Sequence, residues 1–265
     1  MELNNITVEI LNPDLVRNIY KNHGQFACVC YNTDEKYSDK VGNACFDNGH
    51  MSGSRCEYIK FKITGIDRGT AEQVMRHEIG TDVPYPMMNN YSFSDLSNMI
   101  IDVPQDEIIK NMASFRYIDK TDFKYSVPAS IEQCESANRL YYELMSTINK
   151  YRQMIKYELV ESGVSEKRAV QDSNFVLPRA TESSLVIGFT PEALIHFCHK
   201  RLCVRSQEFI RDLAHKMKFE VSLLNQKLAD ELVPHCEYLL WCPEGTSGCG
   251  RKPTRIELLD RISPD

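Results

Sequence analysis

The sequence predicts an α+β fold, a small antiparallel sheet packed with long helices, and three observations carry that prediction. A few short segments alternate apolar and polar residues, longer segments repeat apolar residues at helical spacing, and the two kinds interleave along the chain. At 265 residues, with 42% hydrophobic and 26% charged side chains, the chain is long and apolar enough to bury one sizeable core. No repeat or low-complexity linker divides it, so one domain over 1–265 is expected, with a cysteine-bearing tail from 236.

The elements follow in order. Residues 6–11 (ITVEIL) form a short strand, and 13–23 and 33–48 form short helices, the second running through Val41 and Cys45. In 56–64 (CEYIKFKIT), Ile59, Phe61 and Ile63 share one face and Lys60, Lys62 and Thr64 the other, the pattern of a half-buried strand. Asp67 then caps a helix running to about His77. Residues 79–110 contain Pro84, Pro86 and Pro104 among Asn, Asp and Ser, with no Lys or Arg before Lys110. They predict a long loop with a short helix near 104–110, and loops of that length inside a domain are often functional.

Residues 123–127 (FKYSV) predict a strand stopped by Pro128. The longest helix, 130–161, carries a seam of Ala137, Tyr141, Leu144, Ile148, Tyr151 and Ile155. Gly163 ends it and Ser165 caps a short helix. Residues 184–189 (SLVIGF) are a strand. Thr190 as N-cap and Pro191 at the first helical position start a helix to about Leu202. A last long helix spans 206–231, with Leu213, Met217, Val221, Leu224 and Leu228 facing in.

Global features exclude several classes. A formal charge of −6 argues against a binder of nucleic-acid polymers, which needs a basic face. With 12 glycines there is neither a Walker A loop nor a dinucleotide fingerprint. The opening MELNNITVEILNPD has no signal-peptide layout and no apolar run approaches a membrane span, so a cytoplasmic protein without membrane contact is expected. There, ten cysteines read as core thiols, ligands or catalytic groups rather than disulfides.

Several constellations could carry chemistry. Gln73, Arg76 and His77 share a helix face, which suits an anionic or heteroaromatic ligand and equally a solvated surface. Ser114 and Arg116, followed by Tyr117, place a hydroxyl beside a guanidinium, either a phosphate clamp or an ordinary polar loop. Arg201, near Arg205 and Arg211, follows the apolar ALIHFCHK; partly buried, it needs an anion, a planar acceptor or an ion pair. His196, Cys198, His199 and Cys203 match no standard zinc spacing and read as core packing. Cys236-x5-Cys242-x6-Cys249, with His235 adjacent, is the better metal candidate, yet it lacks a CxxC pair and no metal is assigned. His77-Glu78 does not begin an HExxH motif, because Thr81 takes the second His position.

Together these pieces resemble one family, the flavin-dependent thymidylate synthases. GHMSGSRCEYIKFKITGIDRGTAEQVMRH (49–77) is similar to its strand and "GxSR…HQLVRHR" helix, and NMASFRY (111–117) to its N-E-x-S-x-R-Y segment. FKYSVPASI (123–131) resembles the strand and proline entry that follow. SNFVLPRATESSLVIGFTPEALIHFCHKRLCVRSQEFIRDLA (173–214) tracks "ARxVLP…RALxNFxxxRLxxxAQWEIRELA". CEYLLWCPEGTSGCGRKP (236–253) resembles a tail of some bacterial members.

The resemblance implies a homotetramer with active sites shared between subunits. It implies reductive methylation of dUMP to dTMP, with methylenetetrahydrofolate as carbon donor, FAD as hydride carrier and NADPH recharging the flavin. By position, Gln73, Arg76, Ser114, Phe115, Arg116, Asn174 and Arg201 would bind substrate, Arg201 and Ser114 being closest to the chemistry. Arg76, His77, Glu78, Thr190 and His196 would line the flavin. The family's third Arg in Arg-His-Arg is Glu78 here, where a carboxylate would repel an anionic reduced flavin. Met112, Asn174, Thr190, Glu192 and Cys56 also depart from the pattern, and roughly thirty residues are inserted before Ser114. Two alternatives stand beside the family reaction. One is methylation or hydroxymethylation of another pyrimidine nucleotide, UMP or dCMP, and the other is a non-catalytic binding subunit of the same fold.

Overall fold

The computed structural model describes residues 6–76, 108–116 and 122–262. In chain order these form β1 (Thr7–Ile10), α1 (Pro13–Arg17), α2 (Ile19–Tyr31), α3 (Ser38–Asp47), β2 (Ile59–Asp67), α4 (Arg68–Met75) and β3 (Ile108–Met112). Then come α5 (Ala129–Glu132), α6 (Glu135–Glu161), α7 (Glu166–Ser173), β4 (Glu182–Phe189), α8 (Pro191–Arg201), α9 (Glu208–Ser222), α10 (Gln226–Glu231), α11 (His235–Leu239) and α12 (Arg255–Ile262). The strands make one antiparallel sheet in the order β1-β2-β4-β3, so the α+β class holds. The contacts of the described residues cluster into two units, 6–8, 62–75, 111–116 and 122–186, and 9–61, 76, 108–110 and 187–262. Among the described residues no helix is long and apolar enough to cross a membrane.

The first unit buries Ile63, Ile66 and Leu185 of the sheet with Ala71 and Val74 of α4, Met145 of α6, and Ala169 and Val170 of α7. Asp67 caps α4 as its position predicts, its Oδ1 accepting from the Thr70 amide at 2.8 Å. Three sequence readings change here. Residues 108–112 are a strand, not the end of a helix near 104–110; β-branched Ile108 and Ile109 suit an edge strand, and the Ala113 amide donates to Ser184 O of β4 at 2.9 Å. Residues 123–127 form only a single bridge, Tyr125 to Thr181, before Pro128 removes a donor. The predicted 130–161 helix is two, because Cys134 adopts extended geometry (φ −104°, ψ 103°) between α5 and α6.

The predicted seam on α6 also changes face. Its buried residues are Met145 and Arg152, seven apart and therefore on one side. Leu144, Tyr151 and Ile155 are 52%, 57% and 39% exposed, and Leu140, Met154 and Tyr157 are exposed with them. The period was right and the partner was not. Within one chain α6 packs through α7 and the turn after it, and the apolar stripe is left outside.

The second unit is built on α2 packed against α3 and on α8 and α9. A Cβ at Gly24 would lie 1.7 Å from Ser38 O, and one at Gly42 would lie 1.7 Å from Tyr20 O, so α2 and α3 approach at a distance only glycine allows. The helix predicted over 13–23 breaks at Asn18, and α2 runs on to Tyr31, ending on left-handed Asn32 (φ 49°). Thr190 caps α8 as predicted, its hydroxyl accepting from Ala193 N at 3.2 Å, and Pro191 follows at the first helical position. In the core Phe61 meets Phe189 edge-on with centroids 6.3 Å apart, and Phe189 meets Phe197 at a tilt with centroids 5.2 Å apart. The helix predicted over 206–231 divides where Asn225 caps α10 through Leu228 N and donates to Val16 O. Leu213, Met217, Val221 and Leu228 are buried as expected.

Candidate functional site

A cavity of about 470 Å³ lies in the first unit, between the turn after β3 and the C-terminal end of α7. The turn is fixed before any ligand is considered. The Arg116 amide donates to Ser114 Oγ at 3.3 Å, and the Arg116 Nε donates to Gln171 Oε1 of α7 at 3.0 Å. Asn174, directly after α7, donates from Nδ2 to Phe115 O at 2.7 Å and accepts from Arg152 Nη1 at 3.0 Å. Arg152 is fully buried, so this amide joins the turn to the middle of α6 through a charge-assisted hydrogen bond. Arg68 starts α4 with its guanidinium 5.2 Å from the Phe115 ring centroid and its Nε 3.3 Å from Glu72, which also meets Arg179 at 3.2 Å. Phe175, 83% exposed, gives the cavity an unengaged aromatic face.

The cavity thus brings together Ser114, Phe115, Arg116 and Asn174, all singled out in the sequence. It adds Arg68, Gln171 and Phe175, which sequence reading missed. Gln171 lies three residues before Asn174 on the same helical path, and that spacing was the available signal. Two guanidinium groups, a hydroxyl and aromatic surfaces suit a phosphorylated ligand with a planar ring. Met112, where the family pattern has Glu, lines the cavity and adds an apolar surface.

The second unit holds most of the remaining candidates. Arg201 ends α8 half-buried, and its Nε is buried with no hydrogen-bond partner among the described residues. Burial pulls its pKa below the ordinary arginine value. His196 is half-buried on the same helix. His199 is buried, its ring stacked on His235 at 5.2 Å, and burial, helped by His235, His196 and Lys200, pushes its pKa down to about 4. Thr190 is fully buried, with its oxygen engaged as the α8 cap. Glu192 meets Arg55 in a two-pronged pair, 2.7 Å to Nε and 3.2 Å to Nη2. Gln73, on α4 of the first unit, is half-buried, and Arg76 is exposed. His77, Glu78, Tyr117 and most of the 79–110 insertion lie outside the described residues.

Comparison with known proteins gives the family. The flavin-dependent thymidylate synthase of Nitratidesulfovibrio vulgaris is 31% identical over 214 residues, covering 79% of this chain and 74% of that protein. The enzyme of the same name from Clostridium tetani is 26% identical over 225 residues, covering 82% and 79%. That from Geobacter sulfurreducens is 28% identical over 204 residues, covering 77% and 72%. The profile of the Thy1 family, described as thymidylate synthase complementing protein, matches residues 16–224 and so takes in both the cavity and α8. The chain belongs to the Thy1 family.

Proposed function

We propose that this protein is an enzyme, a flavin-dependent thymidylate synthase that reductively methylates C5 of dUMP to give dTMP. In this reading it works in the cytoplasm, with methylenetetrahydrofolate as carbon donor and NADPH as the source of reducing equivalents. The observation that carries the reading is the cavity in which Ser114, Arg116 and Arg68 converge beside Phe115. Ser114 and Arg116 hold the phosphate, with Gln171 keeping the Arg116 guanidinium in place. Arg201 supplies its buried Nε–H to the pyrimidine, and that donor has no acceptor among the described residues. Gln73 and Arg76 complete the nucleotide contacts.

FAD, when bound, supplies the hydride. Arg76, His77, Glu78, Thr190 and His196 are the residues that would line it. The fit turns on charge. Glu192 stands where the family has a flavin-side arginine, but its carboxylate is matched by Arg55, so the replacement presents a neutral pair rather than a bare anion. The exposed apolar stripe of α6 fits burial against further copies of the chain in a homotetramer with shared sites.

The test is direct. The purified protein should be yellow or become so with FAD, and should release tritium from 5-tritiated dUMP with methylenetetrahydrofolate and NADPH. Protein that binds no flavin and releases no tritium sinks the reading. A second reading, action on UMP or dCMP, draws on Asn174 and Met112. Both line the cavity where the family pattern differs, and the Asn174 amide is engaged by Arg152 and Phe115. A thermal-shift panel of pyrimidine nucleotides separates the two, because preference for dUMP over every rival rules the second out.

A further inference from the structure

Phe175 stands 83% exposed, more than any other large apolar side chain among the described residues, although its neighbour Asn174 is only 5% exposed. Both sit on a single turn, Asn174–Val176, between α7 and β4. That turn is stiff. The Asn174 carbonyl accepts from Leu177 N at 3.1 Å. The Asn174 side chain is held from two sides, donating to Phe115 O at 2.7 Å and accepting from Arg152 Nη1 at 3.0 Å. Pro178 then fixes one more backbone angle. The backbone therefore presents the phenyl ring in one place, with most of its surface left to solvent. Phe175 occupies the unspecified x of the ARxVLP pattern, so no motif singled it out.

The ring lines the cavity that also holds Ser114 and Arg116. The other aromatic ring among the described lining residues, Phe115, is half-buried and already carries the Arg68 guanidinium at 5.2 Å from its centroid. Phe175 is thus the aromatic surface left open beside the hydroxyl and guanidinium. The cavity volume of about 470 Å³ falls within the usual range of small-molecule sites. Resting on the nucleotide reading of the cavity given above, we propose that Phe175 is the platform on which the pyrimidine ring stacks while Ser114 and Arg116 hold the phosphate. A phenyl ring has a π face and no hydrogen-bonding group. It therefore recognises that a ligand has a planar ring, not which exocyclic groups the ring carries. Phe175 adds affinity for dUMP, UMP and dCMP alike, and the choice among them falls to groups that reach the edge of the ring.

The test compares ligands with and without a ring on the full chain. Phe175→Leu should raise the dissociation constant for dUMP about tenfold and leave the preference among dUMP, UMP and dCMP unchanged within about twofold. Its affinity for deoxyribose 5-phosphate, which keeps the phosphate and lacks the base, should stay within about twofold of wild type. Phe175→Tyr, which keeps the aromatic face, should bind dUMP as wild type does. In Phe175→Trp the indole reports directly. Measured against wild type, whose one tryptophan is Trp241, dUMP should saturably quench the added emission and deoxyribose 5-phosphate should not. Equal loss of affinity for the nucleotide and the ringless phosphate would mean that Phe175 only supports the turn, and overturns the platform. So does an unchanged dUMP constant in Phe175→Leu. Either result, with tritium release by the wild type intact, leaves the synthase reading standing, whereas a wild type that binds no pyrimidine nucleotide overturns both. The side chain is largely solvent-exposed, so the leucine variant should keep the wild-type thermal midpoint. Should it not fold, quenching in Phe175→Trp decides, and an indole blind to dUMP overturns the proposal.

Discussion

The cavity of the first unit and the end of α8 in the second treat their cations in opposite ways. Both guanidinium groups that line the cavity have a protein partner: Arg116 rests on Gln171, and Arg68 on Glu72 and the Phe115 ring. At the end of α8, Arg201 keeps a buried Nε with no partner among the described residues. A buried unsatisfied donor costs about 1–3 kcal/mol, more when charged. The first arrangement is organised in advance, and the second holds free energy that an arriving acceptor can recover. The difference teaches where a ligand is needed to finish the structure.

The sharpest way to break this contrast is at Arg201. Arg201→Met should lower kcat/KM in the tritium-release assay at least about a hundredfold, near 3 kcal/mol. The thermal midpoint of the ligand-free protein should hold or rise, because an unpaired charge is replaced by an apolar chain. A midpoint falling by many degrees would mean that Arg201 is already paired and the contrast is false. The mirror experiment is Asn174→Ala. It strands the Phe115 carbonyl and removes an acceptor from buried Arg152, so urea denaturation should show a loss of about 2–3 kcal/mol. Unchanged stability with weakened nucleotide binding would move Asn174 from scaffold to ligand contact.

Next in size is a pH effect in the second unit. His199 has its pKa lowered from 6.5 to about 4, so the unfolded chain binds this proton more readily than the folded one. Its contribution is fully present above about pH 6.5 and is lost as pH falls toward 4, up to about 3 kcal/mol at the extreme. Buried His23 and exposed His215 shift in the same direction, so the measurement is the difference between wild type and His199→Phe across that window. Parallel stability curves would remove His199 as the cause. A smaller effect belongs to Gln171→Ala, which removes the Gln171 hydrogen bond to Arg116 without touching the core. The dUMP dissociation constant should rise several-fold, about 1 kcal/mol, with kcat little changed. Smallest is Glu192→Gln. The Arg55 pair is 46% and 32% exposed on its two sides, so stability should move by less than about 1 kcal/mol.

Much of the fold was legible in the chain because local physics specified it. The alternation in 56–64 needed no partner to announce a strand, and Thr190-Pro191 marks a helix start wherever it occurs. Asp67 and Gly163 behaved in the same local way. The misreadings share one cause. The seam of α6, the strand at 108–112 and the single bridge at Tyr125 each depended on which distant segment came alongside. The site divides similarly. Ser114 and Arg116 stood out by residue type and spacing, whereas Gln171, Arg68 and Arg55 entered only through contacts across 55, 47 and 137 residues of sequence.

What the sequence determined by itself was the class of fold, the family and the residue types gathered for an anionic, planar ligand. Those follow from periodicity, caps and ordered motifs, each readable within a few turns of chain. Only the tertiary structure decided how each charge is balanced: Glu192 neutralised by Arg55, Asn174 spent on Arg152, and Arg201 left with a buried donor. Burial and pairing are properties of neighbours distant in sequence, and a side chain's charge acquires its meaning only once those neighbours are in place.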